Sequence, residues 1–433
     1  MHKERHVAIS VLIEINQGGA YNNIALRRVL GTNQCWQPHQ KAFVTELVNG
    51  TLRNQILIDH IIDGFSRSTS YKIKPFIREL LRTAVYQIIW MDKVPPSAAV
   101  NEAVKLAKSC GFGSLSGFVN GILRNIVRGY EKGSVPIPLK GKVDAQYLSL
   151  KYSFPLWLAL ALIDWMGEQG AEEFCAQSHK PPSVTVCANP LKTSRDILAA
   201  KLEALGVECV KSTLTDSCLH LKKVSDITST EIYKQGHFFV IDEGAYLAAY
   251  TLSPGQHKGQ NIIDLCAAPG GKSFVCAGQM NNTGQIISCD IHPHKIRLME
   301  DMAHRLGMDC IKVQKRDASV INPEWKEWAD AVILDPPCSG FGVIRKKPDV
   351  KYTKTMEDVR SLAKFQQLLL SVAAAYVKPG GVLVYSTCTI TREENQDNVR
   401  WFLNNFPFAV EEPNLPLLPK DSGFFVVRLK KCK

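Results

Sequence analysis

The stretch that decides the fold is "IIDLCAAPGGKS", residues 262–273, where an apolar run ends at an acid and passes through small residues into a helix. Only small residues let a ligand approach the backbone of such a loop closely. The spacing matches neither the GxxxxGK[ST] phosphate loop nor the dinucleotide GxGxxG. The stretch therefore predicts a strand, a ligand-binding loop and a helix.

Further strand candidates alternate with helical patterns on both sides of this stretch. They are "GHFFVID", "GQIISCDI", "CIKVQKRD", "DAVILDPP", "GGVLVYST" and "GFFVVRLKK". Such alternation predicts a class I, Rossmann-like α/β domain with a mostly parallel, doubly wound sheet, which binds ligands at the carboxyl ends of its strands.

Four acids stand at successive predicted strand ends: Asp264, Asp290, Asp317 and Asp335. An acid after the second strand is placed to accept hydrogen bonds from ribose hydroxyls. A single aspartate at such a position is more often a cap or a turn residue. Four in register favour a nucleoside ligand, and a ligand without phosphates would need no phosphate loop.

The rest of the chain divides by its patterning. Residues 1–130 show apolar residues at three- and four-residue spacing and predict an all-α helical bundle. Residues 131–142 contain two prolines without periodicity and predict a linker. Residues 143–235 mix helical and strand patterns and predict a small α/β module, and residues 236–433 form the Rossmann-like domain.

Composition and charge limit the function classes. The chain has 433 residues, 45% of them hydrophobic, and no apolar run of the roughly 18 residues that span a bilayer. Residues 1–130 hold 16 Lys and Arg against 8 Asp and Glu, and so carry 8 of the 11 net positive charges. A basic domain favours a nucleic-acid partner, although solvated helix faces are the simpler alternative. The polar N-terminus leads us to expect a cytoplasmic protein.

Two of the 13 cysteines occupy unusual positions. Cys338 follows two prolines in "AVILDPPCSG", residues 331–340, and Cys388 ends the apolar run of "VLVYSTCTI". Because each follows a predicted parallel strand, we expect both thiols in one cleft. No histidine or cysteine at ligand spacing joins them, so we expect no metal site. The other eleven cysteines fit small buried apolar residues.

The motifs "DLCAAPGGKS", "LDPPCSGFGVIRKKPD" and "VYSTCTITREENQDNV" resemble those of the RNA 5-methylcytosine methyltransferases that use S-adenosylmethionine. The helical front resembles the antitermination factor family NusB. This fusion is similar to the bacterial RsmB (Sun or Fmu) family, which methylates small-subunit ribosomal RNA. In one departure, Cys187 stands where such proteins commonly carry an arginine in the strand before Asn189.

The resemblance implies a role for each cysteine, which the residues alone leave open. It makes Cys388 the nucleophile that adds to carbon 6 of cytosine, and Cys338 the residue that assists release of the methylated product. Asp335, before the stiff Pro336–Pro337, suits stabilisation of the pyrimidine nitrogen edge. The expected cofactor-binding residues are Cys266, Ala267, Ala268, Pro269, Gly270, Gly271, Lys272, Asp290, Asp317 and Asp335.

Two basic features have competing interpretations. Lys272 contacts the cofactor carboxylate, contacts the helix that the loop opens, or is solvated. The stretch "RKKPD", residues 345–349, either holds phosphates near a base that has left its stack or is a generic charged surface.

The sequence predicts an enzyme that methylates carbon 5 of a cytosine in 16S ribosomal RNA. The alternatives are a 5-methylcytosine methyltransferase of another RNA, such as transfer RNA, and a non-catalytic RNA-binding or antitermination factor. Uracil methylation also uses a cysteine, but the paired "DPPCSG" and "STCT" motifs favour cytosine. We expect small-subunit ribosomal RNA as the partner, no membrane association and a monomer.

Overall fold

A computed structural model describes residues 2–33, 35–138, 141–222, 226–252, 259–411 and 423–433. The contacts divide the chain into two compact units. Unit 1 comprises Met1–Pro181 and Ile344–Thr353, and unit 2 comprises Pro182–Val343 and Lys354–Lys433. The segment boundaries predicted at residues 130, 142 and 235 stay predictions.

The described helices account for about half of the chain. They are α1 (His2–Gly18), α2 (Asn22–Thr32), α3 (Pro38–Arg53), α4 (Gln55–Phe65), α5 (Pro75–Trp90), α6 (Pro96–Ser109), α7 (Ser116–Glu131), α8 (Ala145–Tyr152), α9 (Leu156–His179), α10 (Arg195–Glu203), α11 (Glu231–Lys234), α12 (Glu243–Tyr250), α13 (Gly271–Gln279), α14 (Pro293–Leu306), α15 (Val350–Thr353), α16 (Met356–Tyr376) and α17 (Gln396–Asn405). Within the described ranges, no helix has both the length and the apolar character needed to cross a membrane.

The strands all belong to unit 2. They are β1 (Val184–Ala188), β2 (Glu208–Lys211), β3 (Cys218–Lys222), β4 (Phe238–Val240), β5 (Asn261–Asp264), β6 (Gln285–Asp290), β7 (Ile311–Lys315), β8 (Ala329–Leu334), β9 (Val377–Thr387), β10 (Phe408–Val410) and β11 (Phe425–Lys431).

The helical bundle predicted at the front of the chain is confirmed. Helices α1 to α7 pack their apolar residues into one buried cluster. The amphipathic pattern of residues 39–65 is continuous and by itself predicts one helix, but these residues belong to two helices, α3 and α4. Asn54 separates them with φ −111° and ψ 16°, and its side-chain amide donates to the Gly50 carbonyl at 3.0 Å. Asparagine readily bonds nearby backbone in this way and so interrupts helices.

Unit 1 also contains a short stretch from far along the chain, Ile344–Thr353. Within it, the fully buried Lys351 donates from its ammonium group to the carbonyls of Arg53 at 2.9 Å and Tyr152 at 3.1 Å. The Tyr352 hydroxyl hydrogen-bonds two further carbonyls of the same unit. Burial lowers the pKa of Lys351 well below its usual value. This stretch is therefore part of the interior of the helical unit.

Unit 2 contains a small antiparallel sheet of four strands in the order β2-β3-β1-β4. The sequence predicted that "GHFFVID" belongs to the large parallel sheet, and this prediction is wrong. Its strand, β4, pairs antiparallel with β1, so that Phe239 lies opposite Cys187. A three-residue strand carries too little pattern to specify its partner, which its neighbours in space decide.

The large sheet of unit 2 has seven strands in the order β10-β11-β9-β8-β5-β6-β7. The five strands from β9 to β7 are parallel, and β10 and β11 are antiparallel at one edge. Ile262 packs in a cluster with Phe274 of α13, whereas Ile263 packs in another with Leu369 of α16. Because successive strand residues face opposite sides, helices cover both faces, and the predicted Rossmann-like fold is confirmed.

Candidate active site

The carboxyl ends of the five parallel strands bring most of the predicted site residues to one edge of the sheet. Asp264 ends β5 and Asp290 ends β6, while Asp335 directly follows β8 and Cys388 directly follows β9. Asp317 lies two residues beyond β7. The fold therefore presents one candidate side chain at the end of each parallel strand, which is the edge where such sheets bind ligands.

The two cysteine loops meet because β8 and β9 are parallel neighbours. The Sγ atoms of Cys338 and Cys388 lie 3.3 Å apart, within hydrogen-bond distance for sulfur. The hydrogen bond to Cys388 and burial both raise the pKa of Cys338 well above its usual value. A thiol with a raised pKa keeps its proton, so Cys338 is the less suited of the two to act as a thiolate.

Asp335 is paired with the lysine of the small-residue loop. The Lys272 ammonium donates to Asp335 Oδ2 at 2.5 Å, and the Ser386 hydroxyl donates to Oδ1 at 3.3 Å. Burial alone would lower the pKa of Lys272, but the charge and hydrogen bond of Asp335, together with the charge of Asp264, outweigh it and leave that pKa above its usual value. Lys272 is buried, so the interpretation as a solvated lysine is wrong.

The loop between β5 and α13 lies against the neighbouring strand ends. Its Leu265 N–H donates to the Ile333 carbonyl of β8 at 3.1 Å, and its Ala267 N–H donates to the Cys289 carbonyl of β6 at 2.8 Å. Gly270, at the start of α13, has φ +102°, and a Cβ atom there would lie 2.5 Å from the Phe274 ring. Residues 266–272 therefore form a fixed loop in which Gly270 is required sterically.

Asp264 is a fully buried carboxyl group beside this loop. Its Oδ2 accepts a hydrogen bond from the Ser273 hydroxyl at 2.7 Å, while its Oδ1 is buried and has no partner among the described residues. Burial raises the pKa of Asp264 to about 7. An unpartnered buried carboxyl oxygen at a strand end is typical of a site that waits for a ligand donor.

The remaining two acids differ in their surroundings. Asp290 is buried, and its carboxylate accepts from the His292 N–H at 2.9 Å and from the Lys295 ammonium at 3.2 Å. Asp317 is exposed and accepts from both the N–H and the hydroxyl of Ser319, which lowers its pKa. Asp317 is therefore a turn residue, which was the simpler interpretation of an aspartate at such a position. Its exposed carboxylate is still accessible to a ligand.

The basic stretch at residues 345–349 lies in unit 1. The Arg345 guanidinium donates to the carbonyls of Lys180 at 3.1 Å and Pro181 at 2.5 Å. Asp349 is buried and accepts from the Asn22 N–H at 3.0 Å. Arg345 is therefore engaged within the protein rather than presented as one of three free cations, and the phosphate-binding role of the stretch stays a prediction.

Sequence reasoning missed a buried polar cluster that joins the two cysteine loops. Its centre is Glu394, whose carboxylate accepts hydrogen bonds from Ser339, Thr391 and Gln366. The signal was present in "TREENQDN", where a glutamate and two asparagines follow the second cysteine motif closely. Among the residues that the structure describes, no group of three or more metal-ligating side chains is found.

Comparison with known proteins adds independent findings. A family model for the 16S rRNA methyltransferase RsmB/F matches residues 249–414, one for the ferredoxin-like domain of RsmF/B-like methyltransferases matches residues 154–228, and one for the NusB family matches residues 2–128.

Individual relatives match over nearly the whole chain. A probable ribosomal RNA small subunit methyltransferase B of Bacillus subtilis is 37% identical over 95% of this chain and 90% of its own length. A protein of the same description from Synechocystis sp. is 34% identical over the full length of both chains. The crystal structure of PH0851 has a TM-score of 0.80 at 27% identity and covers 99% of this chain and 98% of its own.

Proposed function

We propose that this chain, which belongs to the RsmB/F family of 16S rRNA methyltransferases, transfers a methyl group from S-adenosylmethionine to carbon 5 of a cytosine in small-subunit ribosomal RNA. The observation that carries the proposal is the approach of the Cys338 and Cys388 sulfurs to 3.3 Å at adjacent strand ends. The paired Lys272 and Asp335 lie at the same edge. Membership of a methyltransferase family implies a cofactor of the S-adenosylmethionine type.

The residues at the ends of β5 and β6 fit this cofactor. Its amino group matches the unpartnered Oδ1 of Asp264, and its ribose hydroxyls match the carboxylate of Asp290. Residues 266–272 would hold it through their backbone, with Gly270 allowing close approach. When bound, the cofactor supplies an electrophilic methyl group on a sulfonium.

Cys388 acts as the nucleophile in this proposal. Carbon 5 of cytosine is too weak a nucleophile by itself, and addition of the Cys388 thiolate to carbon 6 turns the ring into an enamine. Carbon 5 then takes the methyl group from the sulfonium, which would leave as a neutral thioether. A base takes the proton of carbon 5, and the electrons of that carbon–hydrogen bond restore the ring double bond and expel the Cys388 thiolate. The raised pKa of Cys338 supports this assignment, because a thiol that keeps its proton is the poorer nucleophile.

Asp335 and Lys272 stabilise the charge that develops on the ring. A carboxylate beside ring nitrogen 3 and the exocyclic amine accepts hydrogen bonds from both when nitrogen 3 carries a proton, and that proton makes carbon 6 more electrophilic. Lys272 holds the Asp335 carboxylate through its 2.5 Å contact, and Ser386 holds the other oxygen. Cys338, beside the nucleophile, assists the release of the methylated product.

The RNA has to present its base outside a helix, because A-form grooves hide base edges and a stacked cytosine cannot reach a thiol. The surplus of positive charge in residues 1–130 supports binding of the phosphate backbone by unit 1. Every catalytic side chain comes from one chain, which supports action as a monomer.

The test is methyl transfer from labelled S-adenosylmethionine to small-subunit ribosomal RNA that lacks its modifications, with 5-methylcytosine as the readout. We expect transfer by the intact protein, no transfer by Cys388→Ala, and a covalent protein–RNA adduct that accumulates in Cys338→Ala. Cys432→Ala, an exposed cysteine near the C-terminus, is the matched control and is expected to behave like the intact protein.

Other outcomes favour the alternatives. Transfer to transfer RNA but not to ribosomal RNA would overturn the substrate. Label found in 5-methyluracil would overturn the choice of base. RNA binding without transfer to any RNA would favour a non-catalytic binding factor.

A further inference from the structure

A buried carboxylate lies between the two cysteine loops. Glu394 is fully buried, and its Oε1 accepts hydrogen bonds from the Ser339 N–H and from the Gln366 side-chain amide, both at 2.9 Å. Its Oε2 accepts from the hydroxyls of Ser339 and Thr391, the latter at 2.8 Å. Four donors therefore converge on one carboxylate, which satisfies both of its oxygens.

These donors come from both cysteine loops. Ser339 directly follows Cys338, and Thr391 lies three residues beyond Cys388. The Ser339 hydroxyl also lies 2.6 Å from the hydroxyl of Thr389, the residue that directly follows Cys388. Gln366 adds a third element, because its amide also donates to the Pro337 carbonyl at 3.0 Å. The loops are thus joined through Glu394.

The groups that donate hydrogen bonds to the Glu394 carboxylate are all neutral. None of the ion pairs among the described residues includes this glutamate, which distinguishes it from Asp335 with its lysine. The charge of Glu394 lies close enough to Cys338 to raise the pKa of that thiol, after the larger effects of the Cys388 hydrogen bond and of burial.

Several titratable groups face Cys338, so the effect of Glu394 has to be separated from theirs. They are Cys388, Glu394, Asp335 with its partner Lys272, and the buried Tyr385. Cys388 hydrogen-bonds Cys338, and the Tyr385 hydroxyl donates to the main-chain carbonyl of Glu394. The hydrogen bond to Cys388 raises the pKa of Cys338 most, and burial is the second cause. The negative charges of Glu394 and Asp335 raise it further.

We propose that Glu394 is a positioning residue for both thiols: its carboxylate holds Ser339 and Thr391 so that Cys338 and Cys388 meet, and its negative charge faces Cys338. The inference rests on the proposed function for the roles of the thiols. The alkylation arm of its test, however, does not require methyl transfer.

The decisive experiment measures alkylation of each cysteine by iodoacetamide as a function of pH, resolved by mass spectrometry. In Glu394→Gln, which keeps the shape and removes the charge, we expect the midpoint for Cys338 to move to lower pH by about one unit. Glu394→Asp keeps the charge and is expected to retain a midpoint near that of the intact protein. The matched control is Glu393→Gln, which removes the same charge one residue away and makes none of these contacts.

A kinetic measurement completes the test. We expect Glu394→Gln to lower kcat for methyl transfer at least about ten-fold, with KM for RNA changed less than about two-fold, because misplacement of reacting groups affects the chemical step. If the alkylation midpoint of Cys338 does not move in Glu394→Gln, the proposed electrostatic effect of Glu394 is overturned. If kcat falls only in proportion to a fall in melting temperature, the proposed positioning of the thiols is overturned.

A further variant covers the case in which Glu394→Gln does not fold. Ser339→Ala removes one donor to Glu394 and the contact with Thr389. It is expected to lower kcat about three-fold or more, and an unchanged kcat would overturn the proposal. If the intact protein transfers no methyl group at all, the proposed function fails, while the alkylation profiles still decide the role of Glu394.

Discussion

The sulfur atoms of Cys338 and Cys388 lie 3.3 Å apart, although 50 residues separate them in the sequence. Mild oxidation with diamide is therefore expected to join them in a disulfide, the two thiols giving up their hydrogens to the oxidant. Methyl transfer should stop and should return after reduction with dithiothreitol. Peptide mapping under non-reducing conditions checks the link.

Either single variant, Cys338→Ser or Cys388→Ser, is the control for this prediction and should form no such link. Preferential oxidation of the exposed Cys35 or Cys432, with both active-site thiols still reduced, would contradict it.

The Lys272–Asp335 pair is expected to matter for stability as well as for chemistry. Lys272→Met leaves Asp335 without its cation, and we expect the free energy of unfolding to fall on the order of 3 kcal/mol. In the double variant Lys272→Met with Asp335→Asn, the loss should be smaller than the sum of the single losses by about 1 kcal/mol or more. Denaturant unfolding of the four proteins measures the coupling.

Lys378→Met is the matched control, because Lys378 pairs with Asp330 near the surface. Loss of an exposed pair should cost less than about 1 kcal/mol. If the loss of unfolding free energy in the double variant equals the sum of the two single losses, the Lys272 and Asp335 side chains do not interact in solution.

Asp264 predicts a specific dependence of stability on pH in the protein without ligand. Burial raises its pKa to about 7 in the folded state, above the value near 3.9 of an unfolded chain. Between these two values the folded state binds the extra proton, so stability falls as the pH rises from about 4 to about 7. The slope is about 1.4 kcal/mol per pH unit for this one group.

Asp264→Asn should remove this contribution, so that the variant gains stability relative to the intact protein as the pH rises through that window. Melting temperatures of both proteins across the range test the sign. Asp317→Asn is the control, since Asp317 is exposed and its pKa is lowered by Ser319. A constant difference between Asp264→Asn and the intact protein would contradict the prediction.

Gly342 is expected to tolerate no side chain. Its N–H donates to the Cys388 carbonyl at 3.0 Å, and a Cβ atom would lie 1.6 Å from the Gly423 carbonyl oxygen. Gly342→Ala should therefore push the Cys388 loop away, abolish methyl transfer and cost about 2 kcal/mol or more of stability. Gly121→Ala on α7 meets open space and should stabilise the protein by about 0.5–1 kcal/mol. Activity and unfolding measurements on both variants decide the point.

Hydrophobic periodicity predicted the elements of the fold well where they are long and amphipathic. The helical front and the parallel sheet follow from repeats of apolar residues that local geometry enforces. The short strand β4 and the break at Asn54 were not predicted, because partners distant in sequence decide the first and a single side-chain hydrogen bond accompanies the second.

Some residues of the candidate site could be placed from the sequence, and others could not. Cys338, Cys388 and Asp335 could be placed at one edge of the sheet, because parallel strands end together. Glu394 could not be placed between them, because its contact with Ser339 spans 55 residues and depends on the conformation of two loops. The pairing of Lys272 with Asp335 likewise depends on how α13 begins, which residue spacing does not specify.

The stretch Ile344–Thr353 has a consequence for how this protein was assembled in evolution and how it can be cut in the laboratory. A gene fragment that encodes residues 1–181 lacks Lys351, which supplies hydrogen bonds to the carbonyls of Arg53 and Tyr152 inside the helical unit. Recombination at a single junction therefore cannot exchange the complete helical unit. Two separated pieces of the reading frame have to be inherited together, which ties its history to that of the cysteine loop directly upstream of the stretch.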